Sequence, residues 1–189
     1  YRMLTTFNYL YALIIGSCIG SFINVVVYRL PNNLSIIKPR SFCPKCKTKL
    51  TWKENIPLIS WLIQRGRCIK CHKYISIKYP LVELMTGILF MIFIKSSPSI
   101  YSSISGSIFN IFLSWVLLSL LICTSLIDIN SFWIPQGLIN FGFISGIFGL
   151  ISLKILNNEF IDFYFIAKGL IYSAISFLIF ELFRYIAKY

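Results

Sequence analysis

Apolar and polar positions along this chain are segregated into long blocks rather than interleaved. Nearly uncharged apolar stretches run over positions 7–28, 80–94, 104–127, 135–155 and 160–183. Most approach the roughly 20 residues an α-helix needs to cross a bilayer core of about 30 Å. In lipid no water is at hand to satisfy backbone groups, so such stretches must close their hydrogen bonds internally as helices. The pattern therefore predicts an all-α, polytopic membrane protein with about five transmembrane helices. Pro80 opens the second helix, where its missing N–H falls among groups that have no intrahelical partner. Polar turns at 95–99 and 157–159 separate later spans on one side, and Trp133 and Pro135 mark an interface on the other. The resulting organisation is a first transmembrane helix at 7–28, a polar loop at 29–79, and a helical membrane region from 80 to 189. No internal repeat or low-complexity segment is present.

Composition sharpens this. The chain has 189 residues, 57% hydrophobic and only 13% charged, with a formal charge of +12. That charge is concentrated: positions 29–78 hold twelve Lys or Arg and one acid, Glu54, leaving six basic and five acidic residues elsewhere. Basic residues packed into a loop between spans are the positive-inside signal, so the loop is placed in the cytosol and the amino terminus outside. The same distribution argues against a nucleic-acid surface, which would mix exposed aromatics into a soluble fold. The first span is too long for a signal-peptide core and has no small-residue cleavage site after it. Met3 is a candidate start, with two residues preceding it.

Inside the loop, Cys43-Pro-Lys-Cys46 and Cys68-Ile-Lys-Cys71 form two C-x-x-C pairs separated by 21 residues. That is a zinc-ribbon spacing, able to converge four thiolates on one tetrahedral metal ion. Disulfides are the competing reading; a reducing cytosol disfavours them. A structural metal would fold a short loop that has little core of its own. His72, directly after Cys71, is read as a loop residue because four cysteines suffice. Cys18 and Cys123 lie inside spans and read as small core residues. Glu83, one turn into the second span, reads as a structural carboxylate near a helix N-terminus. Lys168 faces other helices or snorkels, and Glu181 and Arg184 pair along a helix end. Asp128 sits where the third span reaches the cytosolic face, seven residues before Pro135; position alone makes it an interfacial helix-end residue.

A series of ordered motifs changes that reading. Gly16-Ser-Cys-Ile-Gly20-Ser-Phe-Ile-Asn24 through Tyr28-Arg29-Leu-Pro31, the stretch from Cys43 through Glu54-Asn-Ile-Pro57-Leu-Ile-Ser-Trp61 to Cys71, Tyr79-Pro80-Leu-Val-Glu83, and Asp128-Ile-Asn-Ser-Phe-Trp-Ile-Pro135 together cover most of the chain. They resemble the type IV prepilin peptidases, bifunctional leader peptidases and N-methyltransferases of pilus, competence and type II secretion systems in the bacterial inner (plasma) membrane. The resemblance implies an aspartic endopeptidase with Asp128 as one of two catalytic carboxylates, prepilin or pseudopilin precursors as substrates, membrane lipids but no nucleic acid as partners, and S-adenosylmethionine as methyl donor. Two close carboxylates share a proton, so that one activates water and the other polarises the scissile carbonyl. The family's second aspartate lies in a Gly-x-Gly-Asp motif that is absent here. Asp162, at the outer end of the fifth span, lies roughly 30 Å of bilayer away and does not complete the pair. The expectation is a sequence truncated before that motif, inactive by itself. No glycine-rich Rossmann loop is present for the methyl donor; by resemblance the cysteine loop is implicated. The rival reading is a non-enzymatic membrane adaptor whose metal loop docks a cytosolic partner.

Overall fold

The computed structural model describes residues 2–96, 104–132 and 135–156, together with residue 171. The chain divides into two units, residues 1–147 and 148–189, and the described residues lie largely in the first. Among the described residues, five α-helices follow in order: α1 (Arg2–Arg29), α2 (Ile59–Ile63), α3 (Lys78–Ser96), α4 (Ile104–Ser131) and α5 (Gln136–Leu156). Among the described residues there is no strand, only isolated bridges at Phe42–Lys49 and Arg67–Tyr74 in the loop. The expected helices at 7–28, 80–94, 104–127 and 135–155 are each present within a few residues. The fifth, with Asp162, Lys168, Glu181 and Arg184, lies outside the described residues, as do Trp133, Pro98 and the turn at 157–159. Two helical segments, Thr6–Arg29 and Ile111–Ser131, are long and apolar enough to cross a membrane.

α1 and α3 pack backbone to backbone, and their contacts define the register. A Cβ at Gly16 would lie 2.7 Å from Gly87 Cα, and one at Gly20 would lie 2.8 Å from Glu83 Cα. Further along α1, Asn24 donates its side-chain N–H to the Tyr79 carbonyl at 3.1 Å. Positions rise along α1 as they fall along α3, so the helices are antiparallel. The small residues four apart at Gly16 and Gly20 permit this approach; in lipid, close van der Waals packing takes the place of a hydrophobic driving force.

α4 joins through Trp115, whose ring stacks on Phe90 at 4.7 Å and whose indole N–H donates to the Phe90 carbonyl at 3.3 Å. Towards its other end, Cys123 and Ile127 form a buried cluster with Ile23 and Val26 of α1, against which Leu138 of α5 also packs. Trp115 to Ile127 and Leu13 to Val26 each advance about 18–20 Å of helix. α4 therefore runs parallel to α1, and both helices finish at the same end of the bundle as the loop. Cys123 is buried, as the sequence predicts, but Cys18 is exposed on α1 rather than packed in the core.

The end of α1 is built by its own sequence. Leu34 N–H bonds the Arg29 carbonyl and Asn33 N–H bonds the Leu30 carbonyl, with Asn33 in the left-handed region at φ 54°. This is a Schellman stop, and Pro31 inside it has no N–H to extend the helical ladder. Arg29 is buried and donates to the carbonyls of Ser35 (2.9 Å), Ile36 (3.1 Å) and Pro39 (2.7 Å), with its guanidinium 5.7 Å from the centre of the Phe42 ring. It thereby folds the first stretch of the loop back on the helix end.

Candidate metal centre and membrane-face aspartate

Both C-x-x-C pairs adopt the same local turn. Lys47 N–H bonds the Cys43 carbonyl and Cys43 N–H bonds the Thr48 carbonyl; His72 N–H bonds the Cys68 carbonyl and Cys68 N–H bonds the Lys73 carbonyl. In each, the residue after the second cysteine is left-handed, Lys47 at φ 57° and His72 at φ 54°. That conformation turns the chain sharply enough to bring both sulfurs of a pair to one side, and it explains what His72 does there. The four Sγ atoms of Cys43, Cys46, Cys68 and Cys71 all lie within 4.8 Å of one another, and His72 is not part of the group. Cys43 Sγ and Cys71 Sγ are 3.9 Å apart. A zinc ion with Zn–S bonds of about 2.3 Å in a tetrahedron needs sulfurs about 3.8 Å apart, whereas a disulfide needs about 2.05 Å. All four are free cysteines, and the set fits a divalent thiophilic ion.

The sulfurs also influence one another electrostatically. Cys46 is pulled down to about 6 by the Thr48 hydroxyl and the Thr48 backbone N–H. The Cys71 backbone N–H lowers Cys68. Cys71 has the Lys73 backbone N–H favouring its thiolate, yet burial and the three neighbouring sulfurs push it up to about 11. Four thiolates this close repel, and a divalent cation at their centre removes the conflict while taking the protons' place.

Between this module and the helices lies a cavity of about 380 Å³. Its walls include Asn24 and Tyr28 of α1, Trp61 and Gln64 of the loop, and Tyr79 and Glu83 of α3. Trp61 is fixed by its indole N–H to the Ile75 carbonyl at 3.1 Å, and its ring covers Gly66, where a Cβ would come within 3.0 Å of it. Glu83 is buried and its carboxylate accepts the Leu58 N–H at 2.7 Å. Its structural role is thus more specific than a favourable helix-dipole position. Glu54 accepts the Thr51 N–H at 2.8 Å and the Thr51 hydroxyl at 2.7 Å, and these bonds hold its carboxyl below the usual value.

Asp128 lies in the last turn of α4, exposed, directly after the fully buried Ile127. Its carbonyl accepts the Phe132 N–H at 2.8 Å as the helix closes. It is not among the residues lining the cavity. The four cysteines are thus brought together, while Asp128 shares their end of the bundle without joining them.

Residues 14–96 match the bacterial peptidase A24 N-terminal domain, a unit that takes in α1 from residue 14, the whole cysteine module and α3. The wider chain is similar to proteins named prepilin leader peptidase/N-methyltransferase. It is 37% identical to that of Myxococcus xanthus (strain DK1622) over 173 residues, covering 92% of this chain and 47% of the relative. It is 40% identical to that of Bacillus subtilis (strain 168) over 128 residues, covering 68% and 48%. The type 4 prepilin-like proteins leader peptide-processing enzyme of Escherichia coli O78:H11 is 35% identical over 139 residues, covering 64% and 49%. Residues 14–96 thus carry the bacterial A24 N-terminal domain, and the chain spans about half the length of the curated relatives it matches. No solved structure matches it.

Proposed function

We propose that this chain carries part of a multi-pass prepilin leader peptidase and N-methyltransferase of the bacterial inner membrane. The observation that supports the reading is the arrangement at one end of the bundle: a four-cysteine module and Asp128 lie at the same end of the packed helices, in a chain similar to enzymes of that name. The substrate is a precursor with a basic leader followed by an apolar helix, cut on the cytosolic side. Asp128 supplies one of two carboxylates. As a base it takes a proton from water, whose oxygen adds to the scissile carbonyl carbon; the partner acid polarises that carbonyl, and the C–N bond then breaks to leave a carboxylate and a new amine. Asp162 is not that partner.

Zinc held by Cys43, Cys46, Cys68 and Cys71 cross-links the loop, which otherwise has few buried apolar groups. The cavity beneath it suits a methyl donor of S-adenosylmethionine type: its volume lies in the small-molecule range of about 300–1,000 Å³. Trp61, Tyr28 and Tyr79 offer faces to a base or a sulfonium, and Glu83 offers negative charge. When bound, the donor supplies a methyl group to the amine freed by cleavage.

The test is a membrane assay of the complete protein with a precursor and a labelled methyl donor, scoring leader removal and label on the new amino terminus. Both should occur. An adaptor would leave the precursor uncut.

A further inference from the structure

The segment between the two cysteine pairs folds back alongside the start of α3. Glu83 lies five residues into α3 and, through the α1–α3 register, level with Gly20. Gly20 is nine residues before the end of α1, about 13 Å of helix inside the span Thr6–Arg29. The Leu58 N–H reaches the Glu83 carboxylate at 2.7 Å, so Leu58 sits within one side chain's length of that level. Leu58 is also the tip of a tight reversal. Its φ of 61° and ψ of −53°, with Ile59 N–H bonded to the Pro57 carbonyl at 2.6 Å, make a γ-turn of the rare positive-φ kind. Such strain persists where the surroundings impose it, and here the Glu83 bond does so.

The helix that leaves this tip has two faces. Ser60, Trp61 and Gln64 line the cavity towards α1 and α3. Ile59, Leu62 and Ile63, one and the same face at spacing i, i+3, i+4, are 54%, 66% and 76% exposed. Basic residues bracket the segment, with Lys53 before it and Arg65 and Arg67 after it, all exposed.

Resting on the reading of α1 as a transmembrane span, we propose that residues 56–63 form a re-entrant hairpin dipping into the leaflet on the loop's side, with Ile59, Leu62 and Ile63 against lipid acyl chains and the Leu58 N–H latched to Glu83. The occupant of the apolar face is lipid because its depth is set by Glu83 alongside an apolar span, and because the flanking cations stand where anionic headgroups lie. Non-helical backbone is tolerated at membrane depth only where protein satisfies it, and the Glu83 carboxylate meets that requirement at the tip. The hairpin then forms one wall of the cavity and screens its polar lining from lipid.

The experiment places the photoreactive residue p-benzoylphenylalanine at position 62, 22 or 37 in the full chain, reconstituted in vesicles of labelled phosphatidylethanolamine and phosphatidylglycerol. Phe22 is exposed on α1 near the depth of Glu83, and Ile37 is exposed elsewhere in the loop. Lipid adducts are expected at 62 and 22 and absent at 37. Glu83→Gln, which keeps an acceptor, should retain the adduct at 62, and Glu83→Ala should lose it. An adduct at 22 with none at 62, or with only protein adducts at 62, overturns the hairpin while leaving the span intact. No adduct at either overturns the span and the hairpin together. Equal adducts at 37 and 62 mean that the loop lies on lipid without selective insertion, which also overturns the proposal. Retention of the adduct at 62 in Glu83→Ala overturns the latch.

Discussion

The Glu83 carboxylate accepts the Leu58 backbone N–H at 2.7 Å, joining two residues 25 apart in sequence and tying the cysteine module to α3. Removing the acceptor leaves a partly buried N–H unsatisfied at a strained turn. Glu83→Ala should cost about 1–3 kcal/mol, read as a lower thermal midpoint in detergent and faster proteolysis near Leu58. Glu83→Gln, which retains a carbonyl acceptor, should lose much less.

The α1–α3 seam has no room for side chains at its glycines. Gly20→Leu would drive a branched side chain into the backbone of α3 at Glu83, and overpacking of this kind costs about 1–3 kcal/mol. Gly137, with nothing within 4 Å of its Cβ position, serves as the control. Gly137→Ala, in a helix with open space, should leave the thermal midpoint unchanged or raise it slightly.

Arg29 acts through its fork of donors as well as through its charge. Arg29→Lys keeps the positive charge, but an ammonium cannot bridge three carbonyls from one plane. Residues 35–40 should become sensitive to protease in that variant while the loop remains on the same side of the membrane, as checked by impermeant labelling.

Metal removal should unfold the module. The purified chain should contain about one zinc, as a closed four-ligand site requires. Chelation or acid should release it, since thiolates must take up protons as the metal leaves. The zinc-loaded loop should resist thiol reagents at its four ligands, and all six cysteines should react once chelator and denaturant are present. Cys46→Ser or Cys71→Ser should abolish zinc binding, whereas His72→Gly should retain it and suit the left-handed turn at that position.

Much of this architecture is legible in one dimension. Helix extents follow from runs of apolar residues, and the metal centre follows from two short spacings, because each is a local pattern. Longer-range pairings are not. Nothing local to Leu58 or Glu83 announces that they meet, and a charge count reads Arg29 as a marker of orientation, not as the residue that folds positions 35–40. Cys18 was expected inside the core because a span position says nothing about which side faces a neighbour; it lies on the exposed side of α1. The small residues Gly16, Gly20 and Gly87 acquire their meaning only when the register of α1 against α3 is known. Asp128 stands between these cases. Its helix-end position follows from hydropathy, but its placement at the cysteine end of the bundle depends on Ile127 packing against Ile23 and Val26.

The proposed role of Asp128 is that of a catalytic carboxylate of a leader peptidase. The direct measurement is conversion of precursor to mature pilin by membranes containing the complete protein, with Asp128→Asn and Asp162→Asn compared side by side and zinc content measured in each. Asp128→Asn is expected to abolish conversion with zinc retained, and Asp162→Asn to process precursor normally. Wild-type processing by Asp128→Asn would contradict that role and return Asp128 to an ordinary helix-end residue.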